Sequence, residues 1–442
     1  MTEVRKPGKY GTEAAAKVPG IVKAALTESL RAKEEGKPVA YCFYWTGYDE
    51  VFRAMDIVPV WTENYAAVCA AKRDANRFLE KAETENFSRS LCTYTTCGLG
   101  FDILREELDE MPPEPPWGGQ VKPDLMLGSG QMICEPRYKW YQAAQQFMPD
   151  VPVFVVDQLW PAYDENTDIR EVQDYYVKYM VAELRGLVRF LEKHLGKKMD
   201  WDRLSELVDL GDRTWNIAWE AYELRRAVPT PMDFRDARNI MVPLGFWMGT
   251  QQGYDFFQDL YQELKYKVDN KIGIVSEEKY RLLHGGGIPP WFALSDFDYF
   301  HSKGAVFPVE IRGRNIEATY NLDLPKVSDP LEHLAWRWFK FHTHWNEKAR
   351  KRPGSAPQVE RLIQYIDEYK IDGVVMQLSF SCRSLHVGLT WQLDLLKKLY
   401  GDIPALILES DMVDASSYSE ADTHNRIDAF IETLEVAKSR GR

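Results

Sequence analysis

The chain carries one segment twice, and that repeat restricts the fold more than any other feature. Lys122-x-Asp124 precedes an apolar run and then Cys134; Lys370-x-Asp372 precedes an apolar run and then Cys382. The Asp-to-Cys separation is ten residues in both copies. A helix-like stretch follows each Cys. A similar apolar segment comes next, DVPVFVVDQ at 150–158 and DIPALILESD at 402–411. The copies lie too far apart for a solenoid, whose units run to roughly 20–50 residues. Two related lobes, each built as strand–Cys–helix, account for the pattern.

The segments around the repeat fit such lobes. Val39–Tyr44, Val58–Trp61, Leu125–Leu127 and Val151–Val156 are short apolar runs of the kind that parallel sheets bury on both faces. Arg281–His284, Val306–Val309, Val374–Leu378 and Ala405–Leu408 repeat that character. Helical patterns are expected over 12–35, 49–55 and 65–91 in the first half. In the second half they are expected over 293–302, 331–350, 356–369, 384–400 and 418–437. Between the halves, Val172, Tyr176, Met180, Leu184, Leu187 and Leu191 step by four and three along one helix face. Further helix follows at 200–226 and 244–268. The expected architecture is α/β: residues 1–165 form a first lobe with an N-terminal helix, 166–275 a helical linker layer, and 276–442 a second lobe. The run MPPEPPWGG at 111–119 reads as a rigid Pro-rich loop.

Composition excludes several function classes. Lys and Arg number 55 against 67 Asp and Glu, giving a net charge of −12. With no basic block, the chain is poorly suited to nucleic acid or an anionic membrane. Its apolar runs are far shorter than the roughly 20 residues of a membrane helix. MTEVRKPGKYGTEAAAK has no apolar signal region. The expectation is a cytoplasmic protein. Disulfides are rare there, so the six cysteines need another explanation.

In open parallel sheets, ligands bind beyond the carboxyl ends of the strands. Cys134 and Cys382 fall just past such ends, at the starts of helices, where free amides and the helix dipole favour a thiolate. If the lobes face each other, both sulfurs enter one cleft. Cys92 and Cys97 lie in SRSLCTYTTCGLGFD, with Gly98 and Gly100 small enough for backbone to approach a sulfur-rich cluster. Cys42, inside an apolar strand, and Cys69, on an Ala-rich helix, read first as small core residues. No C-x2-C occurs, so spacing alone matches neither a zinc ribbon nor a bacterial ferredoxin. On residues alone, core packing and ligation both stay open for the other four. His386, four residues after Cys382, is placed to face the same cleft as a proton donor. His342 and His344 diverge on a helix and read as structural. HGGGIPPWF at 284–292 reads as a turn, or as a loop that closes the cleft or cradles a phosphate, although it lacks the P-loop and dinucleotide spacings. Glu409 and Asp411 end the last strand at the same rim, as site residues or as helix caps. Some of the 14 Trp and 23 Tyr would line an apolar pocket.

Five stretches carry a family resemblance: SLCTYTTCGLG, KPDLMLGSGQMICEPRYKW, EKYRLLHGGGIPPW, DGVVMQLSFSCRSL, and LILESDMVD with the later NRIDAFIE. The chain resembles the 2-hydroxyacyl-CoA dehydratase/benzoyl-CoA reductase family over most of its length. Within that family it is most similar to the larger of the two cluster-binding subunits of class I, ATP-dependent benzoyl-CoA reductase. The resemblance implies two flavodoxin-like lobes plus helical parts. It implies a [4Fe-4S] cluster held by Cys92, Cys134 and Cys382 with one iron open. It also implies a homologous smaller subunit as heterodimer partner, and an ATP-hydrolysing module that injects electrons. The implied reaction is reduction of an aromatic acyl-CoA to a cyclic dienoyl-CoA. The same resemblance leaves alternatives: a 2-hydroxyacyl-CoA dehydratase subunit, or an electron-relay subunit whose partner binds substrate. A metal-free acyl-CoA scaffold is a further possibility. The relay form would carry an [8Fe-9S] double-cubane cluster, with Cys97 and Cys42 as the extra ligands.

Overall fold

The computed structural model describes residues 10–131, 134–311 and 317–440; residues 1–9, where the segment read for a targeting signal begins, lie outside them. Helix α1 (Glu13–Glu34) opens the first lobe, followed by β1 (Val39–Cys42), α2 (Asp49–Ala54) and β2 (Val58–Trp61). Helices α3 (Thr62–Ala71), α4 (Ala75–Thr84) and α5 (Thr93–Leu108) come next, then β3 (Leu125–Gln131), α6 (Glu135–Ala144) and β4 (Val153–Gln158). The middle layer is α7 (Ile169–Leu195), α8 (Trp201–Glu223), α9 (Phe234–Phe246) and α10 (Gln251–Asp269). The second lobe contains β5 (Tyr280–Gly286), α11 (Ser295–Ser302), β6 (Ala305–Glu310), α12 (Pro330–Arg350) and α13 (Pro357–Glu368). It ends with β7 (Gly373–Ser379), α14 (Arg383–His386), α15 (Leu389–Tyr400), β8 (Ala405–Ser410) and α16 (Glu420–Ser439).

Each lobe holds a four-stranded sheet, and the two share one topology: β2-β1-β3-β4 and β6-β5-β7-β8. Every strand pairing among the described residues is parallel. These are flavodoxin-like lobes, and the repeated Lys-x-Asp motif occupies the same place in both. The Asp124 amide donates to the Val39 carbonyl, and its Oδ2 accepts the Val39 amide. Asp372 does the same with Arg281. A lysine from another helix meets each carboxylate, Lys33 at Asp124 and Lys438 at Asp372. Each aspartate thus registers the start of one central strand against the next.

Strand alternation sorts the second core into two faces. Leu283, Val374 and Met376 pack with Leu362 and Ile366 of α13 and Leu396 of α15. Leu282, Phe307 and Val375 pack with Phe300 of α11 and Phe430 and Leu434 of α16. The first sheet, the middle helices and α12 share one larger core.

Three expected helices are interrupted. The 65–91 stretch is α3 and α4, separated by a turn with Arg73 in the left-handed region, and ends at 84. The 244–268 stretch begins earlier, as α9, and breaks at Gly249 (φ 71°) before α10. The 384–400 stretch is α14 and α15, broken at Gly388 (φ 81°). Helix α5 was not expected from the sequence. Its Gly98 and Gly100 serve helix packing: a Cβ on Gly98 would lie 2.2 Å from the Trp140 ring, and one on Gly100 only 1.8 Å from the Phe78 carbonyl oxygen.

Buried ion pairs tie the helical layer to the lobes. Arg225, after α8, meets Glu310 at the end of β6 through two hydrogen bonds of 3.1 and 2.5 Å. Both side chains are 0% exposed. Glu310→Ala strands a buried guanidinium and is expected to cost about 3–5 kcal/mol, read as a lowered thermal midpoint. Lys265→Ala, at the exposed Lys265–Asp269 pair, is expected to cost under about 0.5 kcal/mol.

Candidate functional site

A cavity of about 280 Å³ lies where the carboxyl ends of both sheets meet. Its wall comes from the segments that follow the strands: Tyr44 and Trp45 after β1, Cys134 after β3, Ile288 and Trp291 after β5, Leu385 after β7, and Met412 after β8. In both sheets the strand order reverses at the central pair, β1/β3 and β5/β7, and crevices at such points hold ligands in open α/β sheets.

Cys92, Cys134 and Cys382 all line this cavity. Each occupies the residue preceding a helix: Cys92 before α5, Cys134 before α6 and Cys382 before α14. Their flanking residues touch across the lobes. The Thr93 hydroxyl donates to Asp411 Oδ1 at 2.6 Å, and the Thr93 amide donates to Ser381 Oγ at 3.3 Å. Ser381 in turn donates to Asp411 Oδ2 from both its amide and its hydroxyl. The Val413 and Asp414 amides, each at 2.9 Å, complete the shell around Oδ1. Next to Cys382 and Cys134, Arg383 and Glu135 form an ion pair at 3.2 Å.

The thiols are near enough to affect one another's ionisation. Burial pushes the Cys92 thiol up to about 12; the Thr95 amide pulls it down in part, while Cys134 and Cys382 push it further up. Burial likewise lifts Cys134 to about 11, against the pull of the Arg137 guanidinium. Without metal, both sulfurs therefore keep their protons at neutral pH, and metal binding must displace them. Arg137 is itself held by Glu63, Nε to Oε1 at 3.0 Å and Nη2 to Oε2 at 2.5 Å, and it donates to the Tyr44 carbonyl at 2.6 Å.

Among the described residues, no group of three or more His, Cys, Asp or Glu side chains could hold a single metal ion. The three cavity thiols suit a different object. Cysteines that hold a cluster bind separate irons and need not converge on one point. Soft sulfur donors on three helix starts, enclosed by apolar walls, have the chemistry for such a group.

Other expected site residues lie elsewhere. Cys42 is buried in β1, its thiol directed to the Ala40 carbonyl. Cys97 is buried on α5, where the Cys69 thiol meets it and Tyr65. Neither lines the cavity, nor does His386, whose Nδ1 bonds the Ser379 carbonyl at 2.9 Å. Glu409 is exposed, whereas Asp411 is the buried clasp. The HGGGIPPW loop forms cavity wall: Gly286 (φ 74°) lets β5 approach β7, since a Cβ there would sit 2.4 Å from the Gln377 carbonyl oxygen. His342 stacks on Trp160 with ring centroids 4.2 Å apart and is structural.

Sequence reading missed Glu63, Tyr94, Arg137 and Arg238 in the cavity wall. Trp291 Nε1 donates to the Tyr94 hydroxyl oxygen, and the hydroxyl's own hydrogen has no acceptor among the described residues. Burial raises the Tyr94 pKa, offset in part by that indole N–H and by Arg238.

Residues 45–434 match the family model described as "2-hydroxyglutaryl-CoA dehydratase, D-component". The chain is 26% identical over 414 residues to the (R)-phenyllactyl-CoA dehydratase alpha subunit of Clostridium sporogenes, covering 93% of this chain and 92% of that one. It is 25% identical over 437 residues to the (R)-2-hydroxyisocaproyl-CoA dehydratase alpha subunit of Clostridioides difficile, covering 97% and 98%. It is also 25% identical over 418 residues to a benzoyl-CoA reductase subunit of Thauera aromatica, covering 92% and 91%.

Asp411→Ala removes the acceptor of five donors and is expected to destabilise the chain by about 2–4 kcal/mol. Hydrogen exchange at the first amides of α5 should accelerate, while the amides of β2, away from the clasp, keep their protection.

Proposed function

The chain belongs to the 2-hydroxyglutaryl-CoA dehydratase D-component family, and from that premise we propose that it is the cluster-holding subunit of an enzyme that reduces an aromatic acyl-CoA to a cyclic dienoyl-CoA. The observation that carries the reading is the cavity, where three cysteines from both lobes share one wall system with Trp45, Tyr94 and Trp291. Cys92, Cys134 and Cys382 would hold a [4Fe-4S] cluster. When bound, such a cluster supplies single electrons at low potential. Cys42, Cys69 and Cys97 stay outside the cavity lining, which favours one cube over an [8Fe-9S] cluster.

The chain's own residues do the rest. The apolar wall, including Phe234, Met241, Val242 and Ile288, takes the acyl group and keeps water from it. Tyr94 keeps its hydroxyl proton at working pH because burial raises its pKa. It gives that proton up only to a strong base, which a ring anion is. The Trp291 indole N–H steadies the phenolate oxygen left behind. The Arg137–Glu63 pair locks Tyr44 and α6, and so the backbone that presents Cys134.

A dehydratase reading is favoured by the two relatives named for that activity. There the same cavity would take a 2-hydroxyacyl-CoA, and the electron would be returned rather than consumed. In either case, a second subunit accompanies this one, since each of these relatives is named as one subunit of its enzyme. The sequence has no G-x-x-x-x-G-K-[ST] run, so ATP-driven electron delivery would come from a separate module.

Two measurements test the proposal on the anaerobically purified complex. Cys134→Ala and Cys382→Ala should each abolish the cluster's visible absorption and most of its iron, while Cys97→Ala and Cys42→Ala should leave both near the parent level. Full iron in either of the first two variants would refute the ligand assignment. Product analysis separates the reactions: reductant consumed in step with dienoyl-CoA formed from benzoyl-CoA means reduction. Turnover of a 2-hydroxyacyl-CoA on a catalytic quantity of electrons means dehydration.

A further inference from the structure

Among the described residues, Arg238 is the buried arginine that lacks an anion. Arg105, Arg137, Arg225, Arg235, Arg281 and Arg337 are also buried, and each meets a carboxylate within ion-pair distance. Arg238 is 5% exposed, and no carboxylate among the described residues pairs with it. Burying a charge without a partner costs several kcal/mol, so the fold keeps a cation here at a penalty.

The guanidinium is also fixed. Nη1 donates to the Pro290 carbonyl at 3.3 Å, and Nη2 donates to the Pro289 carbonyl. The group lies over the Trp291 ring, 3.7 Å from its centroid. Nε is buried and has no partner among the described residues. Phe234, Arg238, Met241 and Val242 are spaced along one face of α9, and all four line the cavity. On this face of α9 a single cation is therefore set among apolar residues of the wall. The ring beneath it, Trp291, is the one whose indole N–H meets the Tyr94 hydroxyl. Arg238 thus belongs to the Tyr94–Trp291 end of the cavity.

We propose that Arg238 anchors the carbonyl oxygen of the bound acyl thioester, the oxygen that gains negative charge when an electron enters the conjugated acyl group. The inference rests on the reading of this cavity as an acyl-CoA site. A volume of about 280 Å³ accommodates the acyl end and not the whole cofactor. Each terminal nitrogen gives one of its two N–H groups to a backbone carbonyl and Nε is enclosed, which weakens the side-on fork that a carboxylate or phosphate prefers and leaves the remaining terminal N–H groups for a single oxygen. A donor held in place beforehand, in a site shielded from water, stabilises developing charge without reorganising.

The test compares benzoyl-CoA with S-benzyl-CoA, which lacks the carbonyl oxygen, by anaerobic titration calorimetry on the complex. The parent complex should bind the thioester roughly ten- to a hundredfold more tightly than the thioether, as expected for a hydrogen bond from a charged donor. In Arg238→Met that preference should fall to within about twofold, through weaker thioester binding with thioether binding unchanged. Arg238→Lys, which keeps the charge, should retain part of it and decides the matter should the Met variant not fold. The infrared band of ¹³C-labelled thioester carbonyl should lie lower when bound to the parent than when bound to either variant. A variant that discriminates as the parent does, or that loses both ligands equally, overturns the assignment of Arg238 alone. A parent complex that binds neither ligand overturns the aromatic acyl-CoA reading with it.

Discussion

The site depends on one buried carboxylate held between two lobes. Asp411 follows the last strand of the second sheet, yet it accepts from Thr93 of the first lobe as well as from Ser381 of its own. Those two donors adjoin Cys92 and Cys382, so a single acceptor sets the relation between two sulfur-bearing helix starts. A charge so deeply placed is tolerated because it is fully occupied: two hydroxyls and three backbone amides surround it. The Arg383–Glu135 pair spans the gap between Cys382 and Cys134, but with both side chains more than half exposed it adds little energy and serves as a marker of proximity.

The duplicated lobe explains why a cavity exists at all. Each parallel sheet directs its binding crevice beyond its carboxyl edge, between the strands where the order reverses. When two such sheets meet at these edges, crevice faces crevice, and the loops that would each hold a ligand alone enclose one jointly. The paired aspartates at the opposite ends of the central strands, Asp124 and Asp372, are remote from this chemistry. They set strand register, and a repeated register residue ten positions before a repeated cysteine delivers both sulfurs to the same height in their lobes.

Local sequence showed the sheets clearly and the site only in part. Parallel strands are buried on both faces and so read as uninterrupted apolar runs, and all eight expected segments correspond to β1–β8. Helix α5 was missed because TYTTCGLG has weak helix propensity; the helix forms because its first turns are buried on every side, a tertiary cause. The helix interruptions at Gly249 and Gly388 were also hidden, since a glycine in a helical pattern does not announce whether its φ will be positive. Cys134 and Cys382 were legible through the repeat. His386 was placed by helix spacing toward the same cleft, but α14 is one short turn, and the ring turns to the Ser379 carbonyl. Arg238 gave no signal: an arginine in RDARNIM on an amphipathic helix reads as a solvated face. Whether a cation has a partner is decided by elements distant in sequence.

The repeat also accounts for an odd number of sulfurs in the cavity. A duplication supplies residues in pairs, and Cys134 and Cys382 are such a pair. Cys92 breaks the symmetry. It precedes α5, which lies between β2 and β3, while the corresponding interval between β6 and β7 contains α12 and α13 and no cysteine. Three protein donors, rather than two or four, would leave the proposed inorganic group held firmly yet incompletely, as catalytic metal sites with an open position are. Other parts of the wall are furnished by residues without a repeat partner: Tyr94 on α5, Trp291 in the loop after β5, and Arg238 on the middle layer. Symmetric ancestry thus provides the frame and two of the cavity thiols. The parts that would distinguish one acyl group from another come from the elements in which the two halves differ, which is where relatives with separate substrates should diverge.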